Sequence, residues 1–380
     1  MAATERAAAA AAPAPLAATL MAAALCLPGL QAAHAESAPE QGVVAFKLLD
    51  YRESQPDAQR IRVRAPSLMV MTPLGSDWSV SGTVTADAIS GASPAYHTSG
   101  LGTMHDERHA LDLNATRYFS RGTLALGASV SRESDYLSRG LSLQGSLDSE
   151  DKNTTWTLGL GGSSDAINPT NHVVTNEHKR TLDLLAGVTQ VLSTHDIVQL
   201  NLGYARGRGY FSDPYKIFDS RPREHDRRTL QLRWNHFLDT TGGTLRTSYR
   251  WYADNYAIRA HTLGVEYVQP LPQGWTVTPL LRLYSQNAAK FYIPADISGS
   301  PFPPNPPEDA TTYTEDQRLS AFGARTFGLK AAKSFAGGWL ADIKLEQYMQ
   351  RAAWKWGGGG SAGLAPFRAR SLQLGLSRTF

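Results

Sequence analysis

From Trp78 to the end of the chain, hydrophobic and polar residues alternate with a period of two, as they do in strands that bury one face. Trp78, Val80, Val84 and Ala86 share one side of their segment, and Ser79, Ser81, Thr83, Thr85 and Asp87 share the other. Leu124, Leu126, Ala128 and Val130 oppose Gly127, Ser129 and Ser131, and Leu182, Leu184, Ala186 and Val188 oppose Asp183, Gly187 and Thr189. Leu372, Leu374 and Leu376 oppose Ser371, Gln373 and Gly375 at the C-terminus. No long window holds a 3.6-residue period. The pattern predicts about fourteen strands, at 78–90, 107–120, 122–135, 138–149, 153–166, 178–193, 196–210, 227–239, 243–256, 258–271, 275–292, 318–335, 339–354 and 367–380.

Alternation alone does not separate a soluble sandwich from a barrel in lipid, because both bury one face of each strand. The connections do. Tight turns such as Ser120-Arg121-Gly122, Pro272-Gln273-Gly274 and Ala336-Gly337-Gly338 all fall on one side, and the long segments 91–106, 167–177, 211–226, 293–317 and 355–366 fall on the other. Short periplasmic turns, long outward loops and an even strand number define outer-membrane barrels. The expected fold is therefore all-β, a transmembrane antiparallel up-and-down β-barrel of about fourteen strands spanning residues 78–380. The aromatic C-terminus, Phe380 after Leu376, Leu374 and Leu372, reads as the signal engaged by the barrel-assembly machinery; Arg378 breaks that pattern and is read as a snorkelling residue. Trp156, Trp234, Trp251, Trp275 and Trp339 lie near strand ends, where aromatic belts are expected.

Residues 1–35 read as a signal peptide: Arg6, an apolar core from Leu16 to Leu27, and Ala33-His34-Ala35, with cleavage expected after Ala35. The one cysteine, Cys26, falls inside that segment, so the exported chain would carry no disulfide and no thiolate metal ligand. Residues 36–77 have a composition of their own, with Arg60, Arg62 and Arg64 alternating, and are expected to be a periplasmic tether or a plug in the lumen. Charged residues make up 19% of the chain, below the soluble average of about 25%, which suits a wall with one apolar face. A net charge of +3 does not suggest nucleic acid.

Several runs resemble a family of Gram-negative outer-membrane β-barrels catalogued as a domain of unknown function. They are Asp87-Ala88-Ile89-Ser90-Gly91-Ala92-Ser93-Pro94, Asp213-Pro214-Tyr215-Lys216 with Arg221-Pro222, Tyr249-Arg250-Trp251-Tyr252 with Asp254, and Arg282-Leu283-Tyr284-Ser285-Gln286 leading to Phe291-Tyr292. The resemblance implies a barrel in the outer membrane and implies no chemistry. It also associates the chain with a small envelope lipoprotein and an extracytoplasmic flavin transferase, a link to envelope redox or metal handling.

On the face opposite the leucines stand Asp87, Asp112, Asp183, Arg233, Arg246, Arg250, Glu266, Arg282, Lys330, Asp342, Lys344 and Glu346, the expected lining of a lumen too wide for side chains alone to fill. Arg233, Arg246 and Arg250 cluster on neighbouring strands and suit an anion filter; the alternative is a charge-paired network that braces the wall. Arg206, Arg208, Lys216, Arg221 and Arg223, among Asp213, Asp219, Glu224 and Asp226, are candidates for contacting lipopolysaccharide phosphates, with a self-paired loop as the alternative. Ser90, Gly91, Ser93 and Pro94 read as a structured outer turn. His105 and His109 come closest to a metal pair, but i,i+4 spacing suits a helix and this stretch leads into a strand, so no metal and no cofactor is expected. Ser90 and Ser93 have no histidine or carboxylate placed beside them, and no catalytic residue is assigned. The expected partners are outer-membrane lipid and lipopolysaccharide, the assembly machinery and the envelope lipoprotein. The expected function is passage or capture of a small solute; the alternatives are an assembly partner with a plugged lumen and a lipid-acting barrel enzyme.

Overall fold

The computed structural model describes residues 37–56, 58–94, 101–216, 218–294 and 306–380; the expected signal peptide and Cys26 lie outside them. Eighteen strands form: β1 (Val43–Gln55), β2 (Ala58–Leu74), β3 (Trp78–Pro94), β4 (Leu101–Phe119), β5 (Gly122–Arg132), β6 (Tyr136–Asp148), β7 (Thr154–Ile167), β8 (Glu177–Val191), β9 (Asp196–Gly209), β10 (Asp219–Ser220), β11 (Glu224–Leu238), β12 (Gly243–Asp254), β13 (Arg259–Leu271), β14 (Trp275–Gln286), β15 (Tyr313–Thr314), β16 (Phe322–Phe335), β17 (Trp339–Arg351) and β18 (Phe367–Thr379). Sixteen of them close into one antiparallel barrel; β10 and β15 pair only with each other, in the loops.

The barrel thus has sixteen wall strands, not about fourteen. The two extra strands come from the segment 36–77, expected to be a tether or plug: β1 pairs with β18 from Val43↔Thr379 to Ser54↔Arg368, and with β2 from Val43↔Met71 onward. Backbone bonds from Gly42 N to Phe380 O (2.9 Å) and from Phe380 N to Gly42 O (3.0 Å) finish the seam. The sequence hid these strands because only half of each is apolar outside. Phe46, Leu48, Leu68 and Val70 face out at one end, and arginines replace them at the other.

A second correction concerns Ser90, Gly91, Ser93 and Pro94. They do not make a turn; β3 runs through them, with Ser90↔Arg62 and Gly91↔Ile61 on one side and Gly91↔Met104 to Pro94↔Leu101 on the other. The hairpin extends beyond the apolar band, where glycine is tolerated and a terminal proline forfeits no interior ladder bond. His105 and His109 both lie on β4, and four residues along a strand separate them by roughly 13 Å, too far for one ion.

The outer surface is a band of exposed leucines, among them Leu126, Leu141 and Leu158, the last 68% exposed. Only hydrocarbon or another apolar surface covers such a band without cost. The seven tight turns, 75–77, 120–121, 149–153, 192–195, 239–242, 272–274 and 336–338, share one end with Phe380. Cations lie over aromatics at this end: Arg117 over Trp78 and Phe119, Lys333 over Trp275 and Phe335, and Arg378 over Trp339 at 5.3 Å. Arg378 sets its guanidinium over the Trp339 ring at this end of the wall.

Candidate functional site

Parity decides what faces the interior. Leu182 and Leu184 are exposed while Asp183 between them is 2% exposed; Leu232 and Trp234 flank Arg233 and Leu111 and Leu113 flank Asp112 in the same way. The pairing register carries this around the wall, setting Arg246 beside Glu266 and Asn235, and Arg282 beside Gly264. All twelve residues expected on the inner face stand opposite the leucine-bearing side.

Their pairing is uneven. Arg108 binds Asp87 (2.6 Å), Lys330 reaches Asp342 (3.6 Å), and Glu346 meets Lys344 (3.2 Å) and Arg282 (3.8 Å). On β11 and β12, Arg227, Arg246 and Arg250 face inward; Glu266 on β13 stands beside Arg246, Asp254 stands beside Arg227, and Asp183 on β8 is within electrostatic reach of Arg227. Asp254 is already engaged by His225 (3.0 Å) and Tyr252 (2.7 Å). The buried Nε atoms of Arg227 and Arg250 make no hydrogen bond among the described residues, and neither do the oxygens of Asp183. In the sixteen-strand ring β12 and β3 stand eight places apart, so Arg246 and Arg250 look across the bore toward the wall that carries Asp87 and Asp112.

At the loop end the mouth is built over. Tyr51, Tyr252, Tyr284 and Tyr348 point inward there, each hydroxyl donating to a side chain two residues on: Glu53 (3.1 Å), Asp254 (2.7 Å), Gln286 and Gln350 (2.8 Å). Tyr51, Tyr348, Ile61, Val63, Phe322 and Phe367 then pack as a hydrophobic cluster inside the rim with Leu364 from the last loop. The segment 315–320 lies over it, held by Gln286 Nε2, which donates to the carbonyls of Arg318 (2.9 Å) and Ser320 (2.7 Å). With its amide oxygen turned toward Arg60, Gln317 accepts from both terminal guanidinium nitrogens at 2.8 and 2.9 Å. Arg60 also stands over Phe367.

Asp316 is the hub of this cap. Its carboxylate accepts from Arg221 (2.8 Å) and Arg318 (Nε, 2.8 and 3.0 Å) and caps the 3-10 turn Gln317–Leu319 through Arg318 N. Arg221 also binds Asp219 (3.0 Å), and Arg318 reaches Asp213 (3.2 Å). Burial would push the Asp316 carboxyl up, but Arg318, Lys216 and Arg221 hold it well below the usual range. The loop 210–223 continues to the far rim. Tyr215 donates to Asp135, Thr170 N donates to the Tyr215 hydroxyl (3.1 Å), and Asn171 donates to Pro214 O (2.8 Å). The cap therefore joins β2 to the loops of β5–β8.

This geometry corrects one lipopolysaccharide candidate. Arg221 sits inside the cap and faces no lipid. The others keep to nearby acids: Arg206 to Asp226 (3.8 Å), Arg208 to Glu224 (3.4 Å), and Arg223 through two 2.6 Å bonds to Glu177, while Lys216 stands beside Glu315 and Asp316.

Glu315, 2% exposed, has neither oxygen hydrogen-bonded among the described residues, and burial raises its carboxyl to about 7, with Lys216 opposing the rise. The folded cap therefore binds more protons than the opened one between about 4.5 and 7, so its stability falls as pH rises through that window. Amide exchange across residues 313–320, corrected for intrinsic rates, should show protection dropping between about pH 4.5 and 7 and levelling off above, and Glu315→Gln should flatten the profile. A flat wild-type profile would count against a neutral Glu315.

A closed sixteen-strand antiparallel cylinder with a lipid-compatible band, an aromatic girdle and sorted turns is an outer-membrane β-barrel. The chain belongs to the family described as "Protein of unknown function (DUF3570)", whose model matches residues 17–100, 98–177 and 170–370. No curated protein matches the sequence. Among solved structures the fold is similar to a bacterial polysaccharide outer membrane secretin, at 10% identity and TM-score 0.52 over 89% of this chain and 98% of that one. It is also similar to the siderophore receptor PirA from Pseudomonas aeruginosa (9%, TM-score 0.46, 89% and 80% covered) and to OccK2 (OpdF) of Pseudomonas aeruginosa in complex with glucuronate (10%, TM-score 0.46, 90% and 98% covered).

Proposed function

We propose that the barrel carries a small anionic solute across the outer membrane and that the loop cap gates its mouth. The observation behind this reading is the buried Nε atoms of Arg227 and Arg250 on the inner face of β11 and β12, which make no hydrogen bond among the described residues. A wall built only for strength would give each buried donor an acceptor, because a bond left unmade there weakens it. A carboxylate or phosphate passing the arginines would supply the absent acceptor through forked charge-assisted bonds. In planar bilayers under a salt gradient, the wild-type reversal potential should report anion preference, and Arg246→Gln with Arg250→Gln should move it toward zero. An unchanged potential would remove the filter.

The packed cap supports a second reading, in which the lumen stays shut and the barrel seats an envelope complex with a small lipoprotein. No conductance from either the wild-type barrel or a cap-opened variant, together with co-purification of a lipoprotein, would favour it.

A further inference from the structure

On three adjacent strands the outward face changes from apolar to arginine at one height. β1 reads Phe46, Leu48, Asp50, Arg52; β2 reads Val70, Leu68, Pro66, Arg64, Arg62; β18 reads Leu376, Leu374, Leu372, Arg370, Arg368. The register makes these a lattice. Arg62, Arg52 and Arg370 stand directly opposite one another across β2, β1 and β18; Arg64, Asp50 and Leu372 form the row on the apolar side; Arg368 lies beyond, opposite Ser54. Like charges directly opposite in a sheet repel, and here Arg52 has an arginine on both sides.

Among the described residues, one carboxylate serves these cations. Asp50 accepts from Arg52 Nε (2.7 Å), Arg62 Nε (3.2 Å) and Arg64 Nε (3.4 Å), and Arg370 donates only to the neutral Gln347 (2.8 Å). On the outward faces of β1, β2 and β18, five guanidiniums against one acid leave an excess of four positive charges. By contrast, Arg206, Arg208 and Arg223 each have a carboxylate of their own. The lattice is open to the surroundings: Arg52 and Arg64 are each 62% exposed at the side chain. It borders the apolar band on the loop side, where the headgroups of the outer leaflet lie.

We propose that Arg52, Arg62, Arg64, Arg368 and Arg370 form a binding site, at the β1–β18 seam, for a phosphorylated lipid headgroup, the diphosphorylated lipid A moiety of lipopolysaccharide. Two phosphates supply the acceptors that Asp50 alone does not, and guanidinium forks match their oxygens two at a time. The acyl chains then descend over Leu48, Leu68 and Leu374. The site is independent of what the lumen carries. It also gives the arginine run of β2 a role that neither a tether nor a plug provides.

The test is retention of lipid A by the purified full-length barrel in detergent, read by native mass spectrometry. Wild type should retain diphosphorylated lipid A and lose it when both phosphates are removed. Arg52→Gln/Arg62→Gln/Arg370→Gln should cut retention at least about tenfold, since charge-assisted bonds to several phosphate oxygens are lost. Arg206→Gln/Arg208→Gln/Arg223→Gln should leave it unchanged, and heat-modifiable gel mobility confirms that both triple variants fold. Inorganic phosphate alone should not displace the lipid; full displacement would make this a free-phosphate site and overturn the assignment. Equal retention by the seam variant, or equal loss in both triple variants, would also overturn it. So would binding of an acidic polypeptide but not lipid A.

Discussion

Asp316→Ala should open the cap while leaving the barrel wall closed. The carboxylate, 1% exposed, is the shared acceptor of two arginines from different loops. Removing one partner of a buried ion pair typically costs about 3–5 kcal/mol, because the remaining charge is left in low dielectric. Arg221 keeps Asp219 and Arg318 keeps Asp213, so the lower end, about 3 kcal/mol, is the expected size. That is enough to raise the opened population more than a hundredfold. Asp316→Asn, which retains an acceptor for Arg318 N, should fall between the two. Hydrogen exchange and protease cleavage within 306–321 should rise sharply, gel mobility of the unheated barrel should not change, and conductance should increase if the cap is the gate. Unchanged exchange in this segment would mean that the apolar cluster of Tyr51, Ile61, Phe322 and Phe367 holds the cap without help from charge.

Much of the wall is legible in the sequence, since one period-two pattern fixes both which residues meet lipid and, by parity, which face inward. Asp183 between Leu182 and Leu184 is the plainest case. The cap is a different matter. Arg221 and Asp316 are ninety-five positions apart and Tyr215 and Asp135 are eighty apart, and no local period links residues in separate loops. One part of it was within reach: tyrosine followed two residues later by Glu, Asp or Gln at the end of a strand, as in Tyr51/Glu53, Tyr252/Asp254, Tyr284/Gln286 and Tyr348/Gln350, places both groups on one face. Residues 36–77 hide their strands for a related reason. The alternating arginines at 60, 62 and 64 are a strand signal, but a polar-out half-strand resembles a soluble segment until its register with β18 is known. Register divides them further: a bulge between Arg52 and Ser54 turns Arg60 inward to the cap, while Arg62 and Arg64 face out.

Removing Val43–Gln55 should abolish the folded barrel altogether, whereas loss of a tether or a plug would leave it standing. Strand direction decides the outcome. In the intact ring β18 runs antiparallel to β1, and β1 antiparallel to β2. Without β1 the facing edges belong to β2 and β18, which run the same way, so the antiparallel ladder from Val43↔Thr379 to Ser54↔Arg368 cannot be rebuilt. Fifteen strands would remain, and single-chain bacterial barrels are even in number for this reason. An unclosed seam exposes two rows of backbone N–H and C=O groups to hydrocarbon at several kcal/mol for each unmatched group, far beyond the total stability of a folded chain. The expected readouts are loss of the fast-migrating unheated form on gels and degradation of the chain before membrane insertion. A heat-modifiable, membrane-inserted product would mean that β1 lies outside the wall. Leu48→Pro, which removes one ladder donor within the band and keeps the strand count, should weaken closure without abolishing it.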